Sequence, residues 1–230
     1  MNFFEAKIIK TVKETSDTYS YIMETPEGFA WKAGQHAMFK FKDYDVADEK
    51  KERIFTIASA PEDGFLMFTT RISPEHTDFK EILLNKVKVG DVMLIADALG
   101  KFDLEMDKYD ETLIIAGGVG ITPIRSLLKH YAQDNVPAHR ITLLYSDDRG
   151  EFAYGEFWNE LKAQMTNLQL HLISDRDEFT SLIDKYAKEK LNTSEYLIAG
   201  SPGMNAAISE KLQSLGVEKD NIKTDNFMGY

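Results

Sequence analysis

From Thr112 onward the chain repeats one pattern four times: a short apolar run, then a segment with helical spacing. "TLIIAG" (Thr112–Gly117) precedes a helix expected from about Pro123 to Gln133. "RITLLYS" (Arg140–Ser146) precedes one from about Gly155 to Met165. "LQLHLIS" (Leu168–Ser174) leads to a helix from about Phe179 to Lys190, and "EYLIAG" (Glu195–Gly200) to one from about Gly203 to Leu215. "NIKTD" reads as a last short strand. Strands that are apolar throughout have no face to offer water. Alternated with helices, they predict a parallel sheet covered on both sides.

Before about Tyr109 the period is different. "KIIKTV", "YSYIMET", "HAMFKF", "RIFTIAS", "FLMFTTRI" and "DVMLIAD" are short, partly alternating and separated by turn signals such as "TPEG", "EDG" and "KVGD". Six such runs predict a closed or nearly closed antiparallel barrel. "TDFKEILLN" (Thr77–Asn85) is the exception, with Phe79, Ile82 and Leu83 at helical spacing after a cap candidate. Two domains are expected, 1–106 and 107–230.

Composition narrows the chemistry. The 230 residues are 43% hydrophobic and 28% charged, which fits a globular chain. There is no cysteine, so disulfides, cysteine-held clusters and cysteine nucleophiles are excluded. Five histidines in no ligand-like spacing make a metal site unexpected. The net charge of -11 is spread over both halves and no basic stripe stands out, so nucleic acid is not an expected partner. No apolar run approaches membrane-spanning length, and "MNFFEAKIIKTVKE" lacks the apolar core of a signal peptide. A cytoplasmic protein with no membrane partner is expected.

"AGGVGITPIRSLL" (Ala116–Leu128) sets glycines where a strand hands over to a helix. Glycine lets backbone approach a bulky anion, and a helix N-terminus offers free N–H groups and partial positive charge to a pyrophosphate. The loop is neither a full G-x-G-x-x-G nor a Walker A sequence, and a plain tight turn is the competing reading. "RIFTIASAP" (Arg53–Pro61) is a strand with one charge. Arg53 either faces solvent on an edge strand or grips a phosphate; Phe55 could lie on a flat ring and the Thr56 hydroxyl could bond a ring nitrogen.

The two stretches together, a barrel "RIFTIASAP" followed by "GGVGITP" on an α/β domain, resemble the ferredoxin–NADP reductase superfamily. "AGQ" (Ala33–Gln35), "TDFKEIL", "VGD", "LLYSDDR" (Leu143–Arg149), "YLIAGSPGM" (Tyr196–Met204) and the terminal "NFMGY" resemble further segments of that family in the same order along the whole chain. The resemblance implies a six-stranded Greek-key barrel and a five-stranded Rossmann-like domain. It implies FAD, tightly bound to the barrel. Arg53 would hold the pyrophosphate with the N–H groups of Thr77, Asp78, Phe79 and Lys80. Phe55 would cover the isoalloxazine and Thr56 would sit near N5, with Ile57, Ser59, Thr70 and Arg71 framing the flavin. Gly117, Gly118, Gly120, Thr122 and Pro123 would receive the nicotinamide dinucleotide's pyrophosphate. Gly200, Ser201, Pro202 and Met204 would border the nicotinamide, and Phe227 or Tyr230 would approach the flavin.

The family often has tyrosine where this chain has Phe55, and cysteine where it has Ala199. "DALGKF" replaces a GPxG-type turn, and with no cysteine in the sequence an iron–sulfur domain is not expected. Ser146, Asp147, Asp148 and Arg149 would meet the adenosine half. The two carboxylates suit NADH, whereas Arg149 or Arg176 could bind the 2′-phosphate of NADPH; NADH is the expected donor. The implied activity is hydride transfer from NADH or NADPH to FAD, then electron transfer to a separate acceptor: a ferredoxin, a flavodoxin or an oxygenase component. Lys40, Lys42, Lys50 and Lys51 offer either a docking patch or ordinary solubility. Two alternatives stand beside this reading: a flavin reductase using free flavin, and a flavin- or nucleotide-binding module without turnover.

Overall fold

The computed structural model describes residues 2–134 and 138–226. The expected Phe227 and Tyr230 contacts lie outside the described residues. Strands β1 (Phe3–Lys13), β2 (Thr18–Glu24), β3 (His36–Phe41), β4 (Glu52–Thr56), β5 (Phe65–Arg71) and β6 (Val92–Ala96) form one antiparallel sheet in the order β4-β3-β6-β1-β2-β5. It curls into a nearly closed barrel. Phe39, Phe55, Phe68 and Phe79 are at the centre of its core. β1 is longer than its sequence pattern suggested because it pairs twice. Its first half lies against β6 and its second half against β2, with an irregularity between Ile8 and Lys10. β4 is shorter than expected. After Thr56 the backbone leaves β3: Ile57 N still donates to Gln35 O, but Ala58 N donates to Met67 O on β5. That crossover draws the two outer strands together.

Helix α1 (Asp78–Asn85) lies between β5 and β6. The second sheet is parallel, in the order β11-β10-β7-β8-β9. Its strands are β7 (Glu111–Gly117), β8 (Arg140–Ser146), β9 (Leu168–Ile173), β10 (Ser194–Gly200) and β11 (Ile222–Asn226). Helices α2 (Ile121–Asp134) and α3 (Gly155–Gln164) pack on one face, and α4 (Arg176–Lys190) and α5 (Pro202–Ser214) on the other. α4 starts earlier than its apolar pattern shows because Asp175 caps it, accepting from Glu178 N at 2.7 Å. The expected boundary at 106/107 falls in the connection between β6 and β7.

The core under α2 and α3 continues into the barrel through Ala58 and Met67. Polar bonds follow the same seam. Arg125 donates to Ala58 O (2.9 Å) and Asp63 (2.8 Å), Ser126 to Ser59 O (2.8 Å), and the Tyr154 hydroxyl to Thr69 (2.6 Å). The carboxyl ends of the parallel strands face the barrel across this seam.

Candidate functional site

A cavity of about 400 Å³ opens where β4 and β5 meet the turn before α2. Phe55, Thr56, Thr70 and Arg71 line it, with Lys80, expected only through its N–H, and Thr122, expected at the nicotinamide dinucleotide. His36, Ile54, Thr69, Ser73, Val119, Asp225 and Asn226 complete the wall and were not singled out from sequence. Asp225 had one local signal, a carboxylate at the carboxyl end of the last strand. Burial raises its pKa, and His36 opposes that rise. Lys80 is 8% exposed. Burial lowers its pKa, and Arg53 and Arg71 add to the effect by repulsion.

The strand's period-2 alternation sorts "RIFT" in an unforeseen way. Arg53 and Phe55 turn inward, while Ile54 is 49% exposed and lines the cavity. Phe55 is 8% exposed, and Phe68 lies parallel to it at 4.5 Å. One face of the expected stacking ring is therefore already covered. Ile57 and Ser59, expected to frame the flavin, are wholly buried, Ile57 in the barrel core and Ser59 at the domain seam. The Ser59 carbonyl accepts from Trp31 and Ser126, and its hydroxyl accepts from Met67 N. Neither lines the cavity.

Arg53 does not face solvent; it is 4% exposed, and its guanidinium lies over the Phe79 ring at 5.2 Å. It donates to Asp48 Oδ2 at 2.6 Å. The same carboxylate accepts from Asp78 N at 3.1 Å and Phe79 N at 3.0 Å, the first turn of α1. Thr77 is the N-cap residue but makes no capping bond, and its hydroxyl oxygen is buried without a partner. Burial tends to raise the Asp48 pKa; the Phe79 and Asp78 N–H groups and Arg53 outweigh it and hold the carboxyl below its ordinary value. Two of the four N–H groups expected to meet a pyrophosphate, with the guanidinium, thus converge on one carboxylate of this chain.

A second cavity, of about 680 Å³, lies beyond the carboxyl ends of β7, β8 and β10. This is where open α/β sheets place ligands. Gly117, Gly118, Ser146, Asp147, Asp148, Arg149, Ser201 and Met204 line it, joined by Arg71, Arg176, Phe179, Ile183, Ile208 and Lys211. The last four were not singled out from sequence and give it an apolar floor and one cation. Ser201 caps α5, accepting from Met204 N at 3.2 Å, and Pro202 opens the helix. Met204 crosses the ends of two strands: a Cβ on Gly117 would stand 2.4 Å from its sulfur, and one on Gly200 2.6 Å.

The glycines divide by role. Gly118 has φ +53 and open space where a side chain would go. Gly120 is different: a Cβ there would stand 2.1 Å from the Ala199 carbonyl oxygen, so it serves contact with β10 rather than a ligand. Thr122 donates to Val119 O at 2.9 Å, and Pro123 is buried in the first turn of α2. The charges expected to choose the nucleotide are paired. Arg149 holds Asp17 of the barrel at 2.9 Å and Asp147 at 3.4 Å, and Arg176 holds Asp148. A third cavity, of about 570 Å³, opens beneath α4 at the amino ends of the strands, around Glu111, Arg140 and Lys190. It is remote from both clusters.

Residues 114–210 match the family described as Oxidoreductase NAD-binding domain. A curated relative in Yersinia enterocolitica, the Na(+)-translocating NADH-quinone reductase (its F subunit), is 29% identical over 229 residues, covering 90% of this chain and 56% of that one. The chain spans about half the length of the curated relatives it matches. Among solved structures, ferredoxin-NADP+ reductase from Plasmodium falciparum superposes with a TM-score of 0.82 at 17% identity, covering 98% of this chain and 97% of that one. The ferredoxin reductase in carbazole 1,9a-dioxygenase gives 0.79 at 21% identity, covering 99% and 70%. The chain shares the fold of these reductases, and its residues 114–210 match the oxidoreductase NAD-binding family.

Proposed function

We propose that the protein is an NADH-dependent flavin oxidoreductase, in which residues 1–106 hold FAD and residues 107–230 hold the nicotinamide nucleotide. One observation carries this reading: the two cavities share a wall. Arg71 lines both, and the turn from Gly117 to Thr122 presents Gly117 and Gly118 to one and Val119 and Thr122 to the other. A donor and an acceptor seated in them meet at that turn. The barrel residues fit a flavin dinucleotide. Two helix N–H groups and a buried guanidinium already hold an oxyanion, the Thr77 hydroxyl is unpaired beside them, and a cavity with apolar and hydroxyl groups adjoins.

When bound, the flavin supplies a two-electron acceptor for the nicotinamide's hydride, which passes directly and needs no protein acid. The chain's own residues position and bias. Arg53 and the first turn of α1 hold the phosphates, Thr56 offers its hydroxyl to the ring, and Ile54 gives it an apolar contact. Lys80 and Arg71 set a positive field that favours an electron-rich ring over an oxidised one. Gly118 and the N-terminus of α2 receive the second dinucleotide. NADH is favoured because Arg149 and Arg176, the cations that would meet a 2′-phosphate, are already paired with carboxylates of this chain.

The acceptor we propose is a separate redox partner: a ferredoxin, a flavodoxin, an oxygenase component or a quinone-linked assembly. Among the described residues no helix is long and apolar enough to cross a membrane. The curated relatives bear the name of a sodium-translocating quinone reductase, so the expectation of no membrane partner is not carried forward. The lysines considered for docking are partly engaged: Lys42 with Glu5, Lys51 with Asp45, and Lys40 over the Phe3 ring. A second reading, a reductase of free flavin, draws support from Asp48, since a carboxylate in the phosphate seat weakens retention.

The deciding experiment is the anaerobic visible spectrum of the purified protein before and after NADH or NADPH. Bound flavin that bleaches fast with NADH and slowly with NADPH is expected. Colourless protein that still consumes NADH with added flavin establishes the second reading. Bound flavin that neither nucleotide bleaches refutes both.

A further inference from the structure

We propose that Asp48 is a removable plug: its carboxylate occupies a diphosphate seat, and a bound diphosphate displaces it. That the displacing ligand is FAD rests on the function proposed above. The seat is defined by what it already holds. Three donors on two distant elements, Arg53 Nη2 and the N–H groups of Asp78 and Phe79, converge on one carboxylate within 2.6–3.1 Å. Such convergence on an oxyanion is how helix termini and guanidinium groups bind phosphate.

The occupant is poorly embedded compared with its seat. Asp48 lies on the irregular link between β3 and β4 and its side chain is 22% exposed, against 4% for Arg53. The link itself is anchored, with Val46 buried and its carbonyl accepting from Lys51, Ala47 N donating to the Asp78 carboxylate at 2.7 Å and Arg53 donating to the Lys50 carbonyl at 2.7 Å, so displacement moves the Asp48 side chain and not the link. The donor side needs negative charge. Arg53 and Arg71 both depress the pKa of buried Lys80, so these three cations repel one another around the cavity. A carboxylate in the seat offsets that repulsion until a ligand brings its own charge. Apparent affinity then falls by the fraction of molecules in which the seat is open.

The competing explanation is a long-range helix cap with no bearing on ligands. Asp48→Asn separates the two. It removes the charge and keeps the shape, and Asp48→Glu keeps the charge while moving it by one methylene. Inorganic pyrophosphate, FAD and riboflavin are titrated against apo wild-type and variant proteins, by calorimetry and by flavin fluorescence, after circular dichroism confirms folding. The plug predicts that Asp48→Asn binds pyrophosphate and FAD about tenfold more tightly, the usual scale for one competing charge, with riboflavin unchanged. Asp48→Glu falls between wild type and Asp48→Asn. Pyrophosphate bound no better by Asp48→Asn than by wild type overturns the plug, even where FAD binds both. Tighter pyrophosphate with no FAD binding to either protein upholds the plug and removes the flavin reading. If Asp48→Asn fails to fold, Asp48→Glu decides alone: pyrophosphate bound more tightly than by wild type supports the plug, and equal or weaker binding overturns it.

Discussion

Gly118 and Gly120 stand two residues apart and are glycines for different reasons. At Gly120 the limit is space, because the Ala199 carbonyl lies where a Cβ would go. At Gly118 it is backbone conformation alone. Gly120→Ala must push two backbones apart and should cost about 2–3 kcal/mol. Gly118→Ala should cost about 1 kcal/mol and leave the packing intact. Urea unfolding midpoints of the two variants test this, and equal losses contradict it. Sequence reading found the glycine turn and its place, since strand, glycines, proline and helix are contiguous. It could not assign the two roles, because Ala199 approaches from a strand far along the chain.

At the scale of elements, β4 shows what alternation hides. Of the residues expected there to form a site, Phe55 and Thr56 line the cavity, Arg53 does not, and Ile54, which was not expected, does. Which residues face that cavity depends on how the strand sits in the barrel, and "RIFT" carries no clean polar–apolar alternation to reveal it. Phe55→Ala removes a ring packed on Phe68 and Phe39 and should cost about 3–5 kcal/mol of stability. Ile54→Ala should change stability by less than about 0.5 kcal/mol, yet weaken flavin retention. Thermal melts and flavin titrations of both variants decide; flavin loss on Phe55→Ala without a stability change would reverse the assignment. Helix α1 had the same kind of blind spot. Its start was readable from Thr77, but the group that satisfies it, Asp48, lies well upstream in a run of charges that looks merely solvating.

Across the whole molecule the domains are tied by charge as well as by the core beneath α2. Asp17 accepts from Arg71 at 2.8 Å and from Arg149 at 2.9 Å, joining the rim of the barrel to the second cavity. Burial tends to raise the Asp17 pKa, but Arg149 and Arg71 outweigh it and hold the carboxyl below its ordinary value. A carboxyl depressed in the folded state stabilises fully above its unfolded pKa, about 4, and loses that contribution as pH falls through the folded value. Asp17→Asn should therefore lower the melting temperature at neutral pH, and the gap to wild type should narrow on acidification to about pH 3. Parallel melting curves for the two proteins refute this. The order of the two sheets and their strand counts were legible because each follows from local pattern, whereas the site residues were implied only by the family resemblance. The Asp17–Arg149 tie was not legible, since its partners are 132 positions apart.

The strand order of the second sheet also governs how the protein emerges from the ribosome. β7 is made first but lies between β8 and β10, and β10 is not complete until Gly200. The barrel has all its strands by Ala96 and can close while the rest is being translated. Until β10 arrives, β7, whose interior residues are all buried in the finished sheet, has one edge without a neighbour. An unpaired edge of that kind templates association with other chains. Stalled synthesis between β9 and β10 should thus yield a folded barrel carrying a sticky half-sheet, and that interval is when the nascent chain most needs a chaperone.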